Sequence, residues 1–414
     1  MEYKSLKKLF HMFGKENMES EYEMRKRHFS SYVTNIYINP IQDGKQLLNV
    51  KYPLFFSMNK NIVKKHERIL LNSSKIKQLS SNQPGIATNA YINKLLINEL
   101  QSTNETENIR STKKEIAEAL NNKSTKNKRF SGLVTQYLMI HYGEFELNTV
   151  SDIRNIYDEI VSNEIKKDEQ PDGMMFRTES IGVFDNSNNK WIHRNEYSES
   201  EIIEFLTKFI DFTKNFDSSE LVKIMASHYM FEYLHPFYDG NGRIGRYLIA
   251  RMLNDMLDPF TALSFSHSVN NNKSKYYKAF KDTSNFLNKG ELTIFIDEML
   301  SILIEGQENI IDTFEDNVKM ISKIKNTLNA KNFDKYESKI LYVLLQDKVF
   351  GSKYSRLSLK ELQDISGFSR GKINDVIMEH EEKLIKLKSK PVIYEVSDKF
   401  MYELLSESIN EDDN

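Results

Sequence analysis

The sequence contains no cysteine, which excludes disulfides and thiol catalysis. It also has little net charge, −2 at pH 7, which argues against a protein that coats nucleic acid without specificity. No apolar run approaches the ~20 residues of a membrane span, and the N-terminus has acidic residues and no signal-peptide core. These absences predict a cytoplasmic protein with no membrane partner. The abundance of Lys, Asn and Ile is compatible with a bacterial source.

What is present is a long chain with enough apolar material for a substantial core. Its 414 residues exceed a single typical domain, and 39% of them are hydrophobic. We therefore expect two or three modules. The acidic tail over residues 407–414 is expected to be disordered.

One short stretch combines the residue types that handle a nucleoside triphosphate. From His235 to Arg246 the chain reads HPFYDGNGRIGR. Gly240 and Gly242 allow backbone conformations that are closed to other residues, so the amides around Asn241 can turn inward as a nest for phosphate oxygens. Apolar residues follow at helical spacing, and the N-terminus of that predicted helix also favours an anion.

Four charged or titratable side chains in this stretch agree with the same chemistry. Arg243 and Arg246 lie three residues apart, and a guanidinium group can bind phosphate oxygens in a bidentate manner. Asp239 supplies the hard oxygen ligand that Mg²⁺ prefers. His235 can take a proton near neutral pH. The alternative is a solvated surface loop in which the glycines serve a turn and the arginines pair with nearby carboxylates.

The stretch resembles the signature of the Fic family, H-x-F-x-(D/E)-G-N-G-R-x-x-R, at every specified position. The resemblance extends with falling specificity over residues 90–305. It implies that His235 is the general base for a target hydroxyl, which attacks the α-phosphate of ATP and expels pyrophosphate. It also implies that Asp239 holds Mg²⁺ and that Phe237 anchors the loop in the core.

The family pattern also implies phosphate-binding roles. These are the α- and β-phosphates for Asn241 and the nest amides of Gly240 and Gly242, the outer phosphates for Arg243, and the γ-phosphate for Arg246. Gly242 differs from the lysine-bearing nest of a phosphate-transferring branch and favours nucleotide transfer. The implied product is AMP joined to a Ser, Thr or Tyr of a protein substrate, with self-modification included.

Two short strands are predicted upstream of the motif, at Ile181–Phe184 and Lys190–His193, across a turn-rich segment at 185–189. They resemble the Fic flap, which aligns a target segment as an added strand. The flap residues on the first strand would be Ile181, Gly182, Val183 and Phe184. An ordinary edge hairpin remains the alternative.

A second motif suggests inhibition. Many Fic proteins carry an inhibitory (S/T)-x-x-x-E-(G/N) element, and Thr103, Glu107 and Asn108 fit it. Apolar residues on one face of the preceding stretch predict a helix, so Glu107 should lie near a helix end. The resemblance implies that Glu107 pairs with Arg246 and occupies the guanidinium that the γ-phosphate needs. A solvated helix end is the alternative.

Residues 301–306 match the same short pattern, with Glu305 at the acidic position. The apolar run before Gly306 instead indicates a core helix that ends at this glycine. We therefore favour Glu107 as the inhibitor.

The C-terminal region is typical of a helix-turn-helix followed by two strands, which resembles a winged helix. A helical pattern covers Tyr336–Leu345, Ser358 opens a second helix and Ser369 caps a third. Strands are predicted at Leu384–Leu387 and Val392–Val396. Basic residues in this region suggest a DNA partner, but interspersed acidic residues leave protein docking or dimerisation equally open.

Together these observations predict a mainly α protein, with a helical Fic core, a β-hairpin flap and a C-terminal winged-helix domain. The expected modules are an N-terminal region with the inhibitory helix over 1–125, the Fic core over 126–310, and a linker helix with the winged helix over 311–414. The expected function is auto-inhibited AMPylation that requires ATP and Mg²⁺. Two alternatives stay open: de-AMPylation by the same site, and a DNA-binding regulator whose core senses nucleotide. The resemblance also makes a homodimer plausible.

Overall fold

The computed structural model describes residues 3–121, 129–142, 146–161, 163–185 and 190–407. Helices dominate, and the strands of these ranges form two-stranded antiparallel ribbons. Isolated parallel bridges also join Ile41 to Asn285 and Phe55 to Glu291. The predicted mainly α fold is thus confirmed. Within the described ranges, no helix is both long enough and apolar enough to span a membrane. Residues 186–189 of the turn predicted at 185–189, and residues 408–414 of the tail predicted at 407–414, lie outside the described residues.

The N-terminal region begins with two helices that pack beside a bent β-ribbon. The elements are α1 Leu6–Phe13, α2 Lys15–Arg27, β1 Ser31–Ile38, β2 Ile41–Gln42, β3 Lys45–Gln46 and β4 Tyr52–Ser57. Strands β1 and β4 pair with a register shift between Val33 and Tyr37. A bulge of this kind bends a ribbon and increases its twist.

Five helices then lead to the motif region, and polar caps set where several of them start. They are α3 Lys60–Ser81, α4 Gly85–Thr106, α5 Lys113–Asn121, α6 Ser131–Tyr142 and α7 Val150–Ile160. Asn59 accepts two backbone N–H groups at the start of α3, and Thr149 with Asp152 forms a capping box at the start of α7. Such caps satisfy N–H groups that a helix leaves without partners.

The central part consists of a hairpin and six helices. They are β5 Ile181–Asp185, β6 Lys190–Asn195, α8 Glu199–Asn215, α9 Glu220–Leu234, α10 Asn241–Met256, α11 Pro259–Ala262, α12 Phe265–Asn271 and α13 Lys273–Ser284. Every residue of α9 from Leu221 to Leu234 is buried, which makes α9 a central helix of the core. The motif therefore follows directly from a helix that the core holds on all sides.

The C-terminal part starts with a long helix. The elements are α14 Thr293–Ala330, α15 Lys335–Phe350, α16 Leu359–Ser366, α17 Arg370–Glu379, β7 Leu384–Ser389, β8 Val392–Val396 and α18 Asp398–Glu407. Ser358 and Ser369 cap α16 and α17 as predicted, and the two predicted strands pair. Helix α15 packs against α4, so this part contacts the predicted inhibitory helix directly.

The prediction that a helix ends at Gly306 is wrong, because α14 continues through it to Ala330. A Cβ at Gly306 would lie 2.3 Å from Ser268 Oγ in α12. Glycine is therefore needed for the close approach of two helices. Its cost inside a helix, ~1 kcal/mol relative to alanine, is small beside the packing of a 38-residue helix.

Candidate functional site

The motif loop lies between the C-terminus of α9 and the N-terminus of α10. His235 ends α9 with a left-handed backbone, φ 49°, and Gly240 caps α10 at φ 85°. Phe237 is fully buried and stacks on Tyr157 at 4.0 Å between ring centroids, which agrees with its predicted anchoring role. The loop thus places consecutive backbone amides at a helix N-terminus, where an anion is favoured.

Asn241 closes this loop with its side chain. Its Oδ1 accepts the N–H of Phe237 at 2.9 Å, and its Nδ2 donates to the carbonyl of Phe237 at 2.7 Å. Both ends of the amide are therefore engaged by the loop backbone. The arrangement supports a role for Asn241 in shaping the nest, whereas phosphate contacts would come from backbone amides.

His235 is oriented by the carbonyl of Glu232, which lies 2.6 Å from its Nδ1. Because a carbonyl oxygen can only accept, Nδ1 carries the hydrogen and Nε2 of the neutral ring carries the lone pair. Burial lowers the pKa of His235 below its usual value, and Arg177 adds to this, whereas the Glu232 carbonyl and the Glu107 carboxylate oppose it. The ring is therefore neutral near pH 7 and can accept a proton.

Arg177 fixes the loop that carries His235, and sequence reasoning missed it. Its side chain is fully buried and donates to Asn195 Oδ1 and to four backbone carbonyls, namely those of Glu179, Tyr197, Leu234 and His235. Leu234 and His235 are at the C-terminus of α9, whereas Glu179 and Asn195 flank the hairpin. One buried cation thus connects the base of the hairpin with the backbone of His235.

Asp239 is half-buried beside the nest, and its Oδ1 accepts the N–H of Gly240 at 2.6 Å. A carboxylate in this position is compatible with Mg²⁺, which commonly takes one protein carboxylate and completes its shell with substrate phosphates and water.

Arg243 pairs with Glu164, a residue that the sequence analysis did not select. Arg243 Nη1 lies 3.0 Å from Glu164 Oε2, and the arginine side chain is only 1% exposed. Glu164 Oε1 also accepts the N–H of Phe130 at 3.0 Å. Burial raises the pKa of Glu164, with Arg243 opposing this effect.

Arg246 is bound by the two residues that the second motif predicted. Its Nη2 lies 2.9 Å from Glu107 Oε1, and its Nε donates to Thr103 Oγ1 at 2.8 Å. Burial raises the pKa of Glu107, but the charge and hydrogen bond of Arg246, together with the nearby His235 and Arg243, lower it further than burial raises it. The carboxylate is therefore ionised near neutral pH and neutralises a guanidinium that is 1% exposed.

The backbone conformation of Asn108 explains why the last position of the inhibitory motif is glycine or asparagine. Helix α4 ends at Thr106, and Asn108 follows with a left-handed backbone at φ 58°. Glycine and asparagine tolerate this conformation better than other residues. Glu107, directly before this turn, contacts the motif, since a Cβ at Gly242 would lie 2.1 Å from Glu107 Oε1. Gly242 thus leaves the space that Glu107 occupies.

A family model matches the sequence around this motif, and two solved structures are similar to the chain. The model of the Fic/DOC family matches residues 147–253, which include the complete motif. The chain carries a Fic domain. A solved structure of a Fic family protein from Desulfovibrio desulfuricans G20 superposes with a TM-score of 0.51 at 16% identity, covering 83% of this chain and 97% of that one. A Fic domain containing signaling protein from Bacteroides thetaiotaomicron VPI-5482 matches at 21% identity and a TM-score of 0.41, covering 62% and 97%.

Hydrogen bonds from α12 and α13 hold the C-terminal end of α4, the helix that carries the inhibitory motif. Asn270 Nδ2 donates to Glu105 Oε2, Lys273 Nζ to the Glu105 carbonyl, and Tyr277 OH to the Thr106 carbonyl. Higher up the same helix, the buried Glu99 accepts the N–H groups of Ser266 and His267 at the start of α12. Burial raises the pKa of Glu99 to about 7. The position of Glu107 therefore depends on contacts across three helices.

The competing match at Glu305 is placed differently. Glu305 lies inside α14, and its Oε1 accepts from Asn272 Nδ2 at 3.1 Å. The carboxylate bonded to Arg246 is that of Glu107, so the structure brings together the pair that we favoured from sequence.

A second carboxylate, Glu232, lies beneath the Fic motif. It is buried in α9, and a Cβ at Gly245 would lie 2.3 Å from its Oε1. Burial raises the pKa of Glu232 to about 8; Glu107 adds to this and Arg246 opposes it. His228, in the same helix, is fully buried, forms a hydrogen bond with Tyr276 and has a pKa lowered by burial to about 3.

The predicted flap forms a hairpin beside the Fic motif. Strands β5 and β6 pair in antiparallel register, with Ile181 opposite Asn195 and Gly182 opposite Arg194. Asn195 donates to the carbonyls of Tyr233 and Leu234, which attaches the second strand to the end of α9. The side chains of residues 183–194 lie outside the described part, so Val183 and Phe184 are placed by their backbone pairing alone.

Proposed function

We propose that this protein transfers AMP from ATP to a hydroxyl group of a protein, and that Glu107 restrains the transfer. The observation that carries this proposal is the pairing of Arg246 with Glu107 and Thr103, next to a histidine whose Nδ1 is fixed by a backbone carbonyl. A base and a cationic, amide-rich anion site thus occur together. The match of residues 147–253 to the Fic/DOC family supports nucleotide transfer to proteins as the reaction class.

The proposed step uses His235 as the base. The target hydroxyl oxygen attacks the α-phosphorus of ATP, and its proton passes to His235 Nε2. The bond between the α-phosphorus and the bridging oxygen to the β-phosphate breaks, and pyrophosphate leaves. AMP is then joined to the target by a phosphodiester. The lowered pKa of His235 suits this role, because a neutral imidazole is required to accept the proton.

The nest and the two arginines would hold the nucleotide. Gly240, Asn241 and Gly242 form the start of α10, where backbone amides stabilise an anion. Arg243 and Arg246 would bind outer phosphates. Asp239 would hold Mg²⁺, which, when bound, neutralises charge on the phosphates. Binding energy in such a site is used mainly for positioning and charge stabilisation.

Restraint by Glu107 follows from competition for one guanidinium. A γ-phosphate that approaches Arg246 must displace a carboxylate that lies 2.9 Å from its Nη2. While Glu107 stays in place, the triphosphate would be held in a position unsuited to transfer. Removing Glu107 would open Arg246 without changing the motif itself.

A transfer assay with α-phosphate-labelled ATP and Mg²⁺ tests this proposal. Wild type, Glu107→Gly and Glu107→Gly with His235→Ala would be incubated alone and with a cell lysate. We expect label on protein with Glu107→Gly, and a loss of about 10²- to 10⁴-fold when His235 is also replaced, the usual effect of removing a general base. Equal labelling by wild type would show that Glu107 does not inhibit transfer. Absence of label with every variant would refute AMP transfer.

The reverse reaction is a second candidate, because Glu107 lies beside the nest and is 26% exposed, which would allow it to orient a water molecule. Water would attack the phosphodiester of an AMP-modified protein, and His235 would protonate the leaving oxygen. Release of AMP from a modified target that is lost in Glu107→Gly would favour this direction over transfer.

A further inference from the structure

Arg243 has a buried guanidinium with unused donor capacity. Its side chain is 1% exposed, its Nη1 lies 3.0 Å from Glu164 Oε2, and its Nε is buried without a hydrogen-bond partner. A buried N–H without an acceptor is costly, and it marks a group that can accept a further anion. The guanidinium is therefore ready to bind a second ligand besides Glu164.

Glu164 reaches the motif from a different side than Glu107. A Cβ at Gly240 would meet Val161, at the end of α7, at 3.0 Å, whereas a Cβ at Gly242 would meet Glu107. Glu164 follows three residues after Val161 and donates its N–H to the Val161 carbonyl. The two nest glycines thus face two different carboxylate-bearing segments.

The two ion pairs also match in geometry and burial. Arg243 and Arg246 are each 1% exposed, their carboxylate partners lie at 3.0 and 2.9 Å, and these partners are 14% and 26% exposed. In each pair the arginine is fixed by the motif helix, and the carboxylate comes from outside it. Both arginines that are expected to bind phosphate are therefore neutralised by carboxylates.

We propose, on the basis of nucleotide transfer at this site, that Glu164 is a second anionic competitor that sets the affinity for the phosphate chain through Arg243. A phosphate that reaches Arg243 either displaces the carboxylate or shares the guanidinium with it, and the repulsion between two anions weakens binding. Glu107 governs the outermost phosphate, and Glu164 governs the adjacent part of the chain. A nucleotide without outer phosphates is not affected by Glu164.

The test measures nucleotide affinity in the full chain with Glu107→Gly and His235→Ala, which leaves Arg246 open and prevents turnover. Into this background we would introduce Glu164→Gln, which removes the charge and keeps one oxygen acceptor, for either Arg243 or the Phe130 N–H, and separately Glu164→Ala. Asp168→Asn is the matched control, because it removes one negative charge from an exposed residue of the same segment. Dissociation constants for Mg-ATP and for AMP would be measured by calorimetry, with melting temperatures as a check of folding.

We expect Glu164→Gln to lower the dissociation constant of Mg-ATP by about tenfold, with no change for AMP and none in Asp168→Asn. Glu164→Ala should act in the same direction. Weaker or unchanged ATP binding in both Glu164 variants would overturn the inference, since Glu164 would then hold Arg243 in place or have no effect on phosphate.

Failure of the inference and failure of the proposed function are distinguishable. Label transfer by Glu107→Gly with His235 intact reports on the function, whereas the affinity ratio reports on Glu164. Label transfer with unchanged affinities would overturn only the role of Glu164. Absence of Mg-ATP binding in every variant would overturn both.

Discussion

Glu107 Oε1 lies 2.9 Å from Arg246 Nη2 and within 2.1 Å of where a Cβ on Gly242 would stand. The Glu107 carboxylate thus fills space beside the nest and also neutralises the charge of Arg246. An anion that binds the nest amides and Arg246 would be opposed both by the volume and by the negative charge of this carboxylate. The pair is a local competition between a side chain and a ligand for one guanidinium, and its strength should be adjustable by single substitutions.

The hydroxyl of Thr103 strengthens this pair, and its removal should weaken it. Thr103→Val keeps the shape of a fully buried side chain but leaves Arg246 Nε without its acceptor at 2.8 Å. The loss of a buried hydrogen bond costs about 1–3 kcal/mol. We expect label transfer from ATP at a level between that of wild type and Glu107→Gly. A variant as silent as wild type would show that Glu107 suffices alone.

The pH dependence of transfer should report on His235. Its pKa is lowered below 6.5 mainly by burial, and the negative charge of Glu107 opposes this lowering. Removing Glu107 should therefore lower the pKa of His235 further. For Glu107→Gly we would measure kcat/KM between about pH 5 and 8. We expect the apparent pKa of its acidic limb to lie below 6.5. An acidic limb at or above 6.5 would contradict a base in this environment.

Arg177 should act on the rate through the position of His235. Arg177→Ala, in the Glu107→Gly background, removes the donors to the Leu234 and His235 carbonyls. We expect kcat to fall about 10²-fold, as displacement of a catalytic group by ~1 Å can cause, with little change in the KM for ATP. Arg177→Lys keeps the charge and should restore part of the rate.

The control for Arg177 is Arg154→Ala, which removes another arginine that donates to a carbonyl, in this case that of Met175. Its kcat should remain at the level of the parent variant. If Arg177→Ala instead raises the KM for ATP at constant kcat, the residue contributes to nucleotide binding and not to the placement of His235.

Stability should depend on pH through Glu232. Its pKa is raised from 4.5 to about 8 in the folded protein, so the folded state retains a proton that the unfolded chain has lost. The stabilisation of the folded state by protonated Glu232 is complete below pH 4.5 and is lost as the pH rises towards about 8. Glu232→Gln is uncharged throughout, and its gain in free energy of unfolding should grow to the order of 3 kcal/mol at pH 7.

Melting temperatures of Glu232→Gln and wild type across this range measure that effect. Glu220→Gln, at the exposed start of the same helix, is the control for replacing a glutamate of α9. A Glu232→Gln difference that is constant with pH would mean that the carboxylate is already ionised in the folded protein.

Local patterns predicted the elements and residues whose neighbours in the chain determine them. The motif from His235 to Arg246 requires a loop and a helix start, and glycines at its centre indicate both. Ser358 and Ser369 predicted two helix starts, and the structure confirms both. The pairing of Glu107 with Arg246 was predictable because a family pattern links two segments that are far apart in sequence.

Partners that depend only on tertiary contacts were not predictable in this way. Arg177 and Glu164 are single charged residues without a local pattern, and their roles come from packing against α9 and α10. The helix end predicted at Gly306 is wrong because a glycine can mark either a helix end or a close contact between helices, and only the position of Ser268 decides between them. The winged-helix assignment and its DNA partner remain predictions.

The most direct test of the central claim uses the position of the label in ATP. Glu107→Gly would be incubated with Mg²⁺ and ATP labelled in either the α- or the γ-phosphate, and protein-bound label would be counted after denaturation. AMP transfer predicts that the α-label is retained, the γ-label is absent, and His235→Ala removes the signal. Retention of the γ-label would contradict the account, because the site would then transfer phosphate and not AMP.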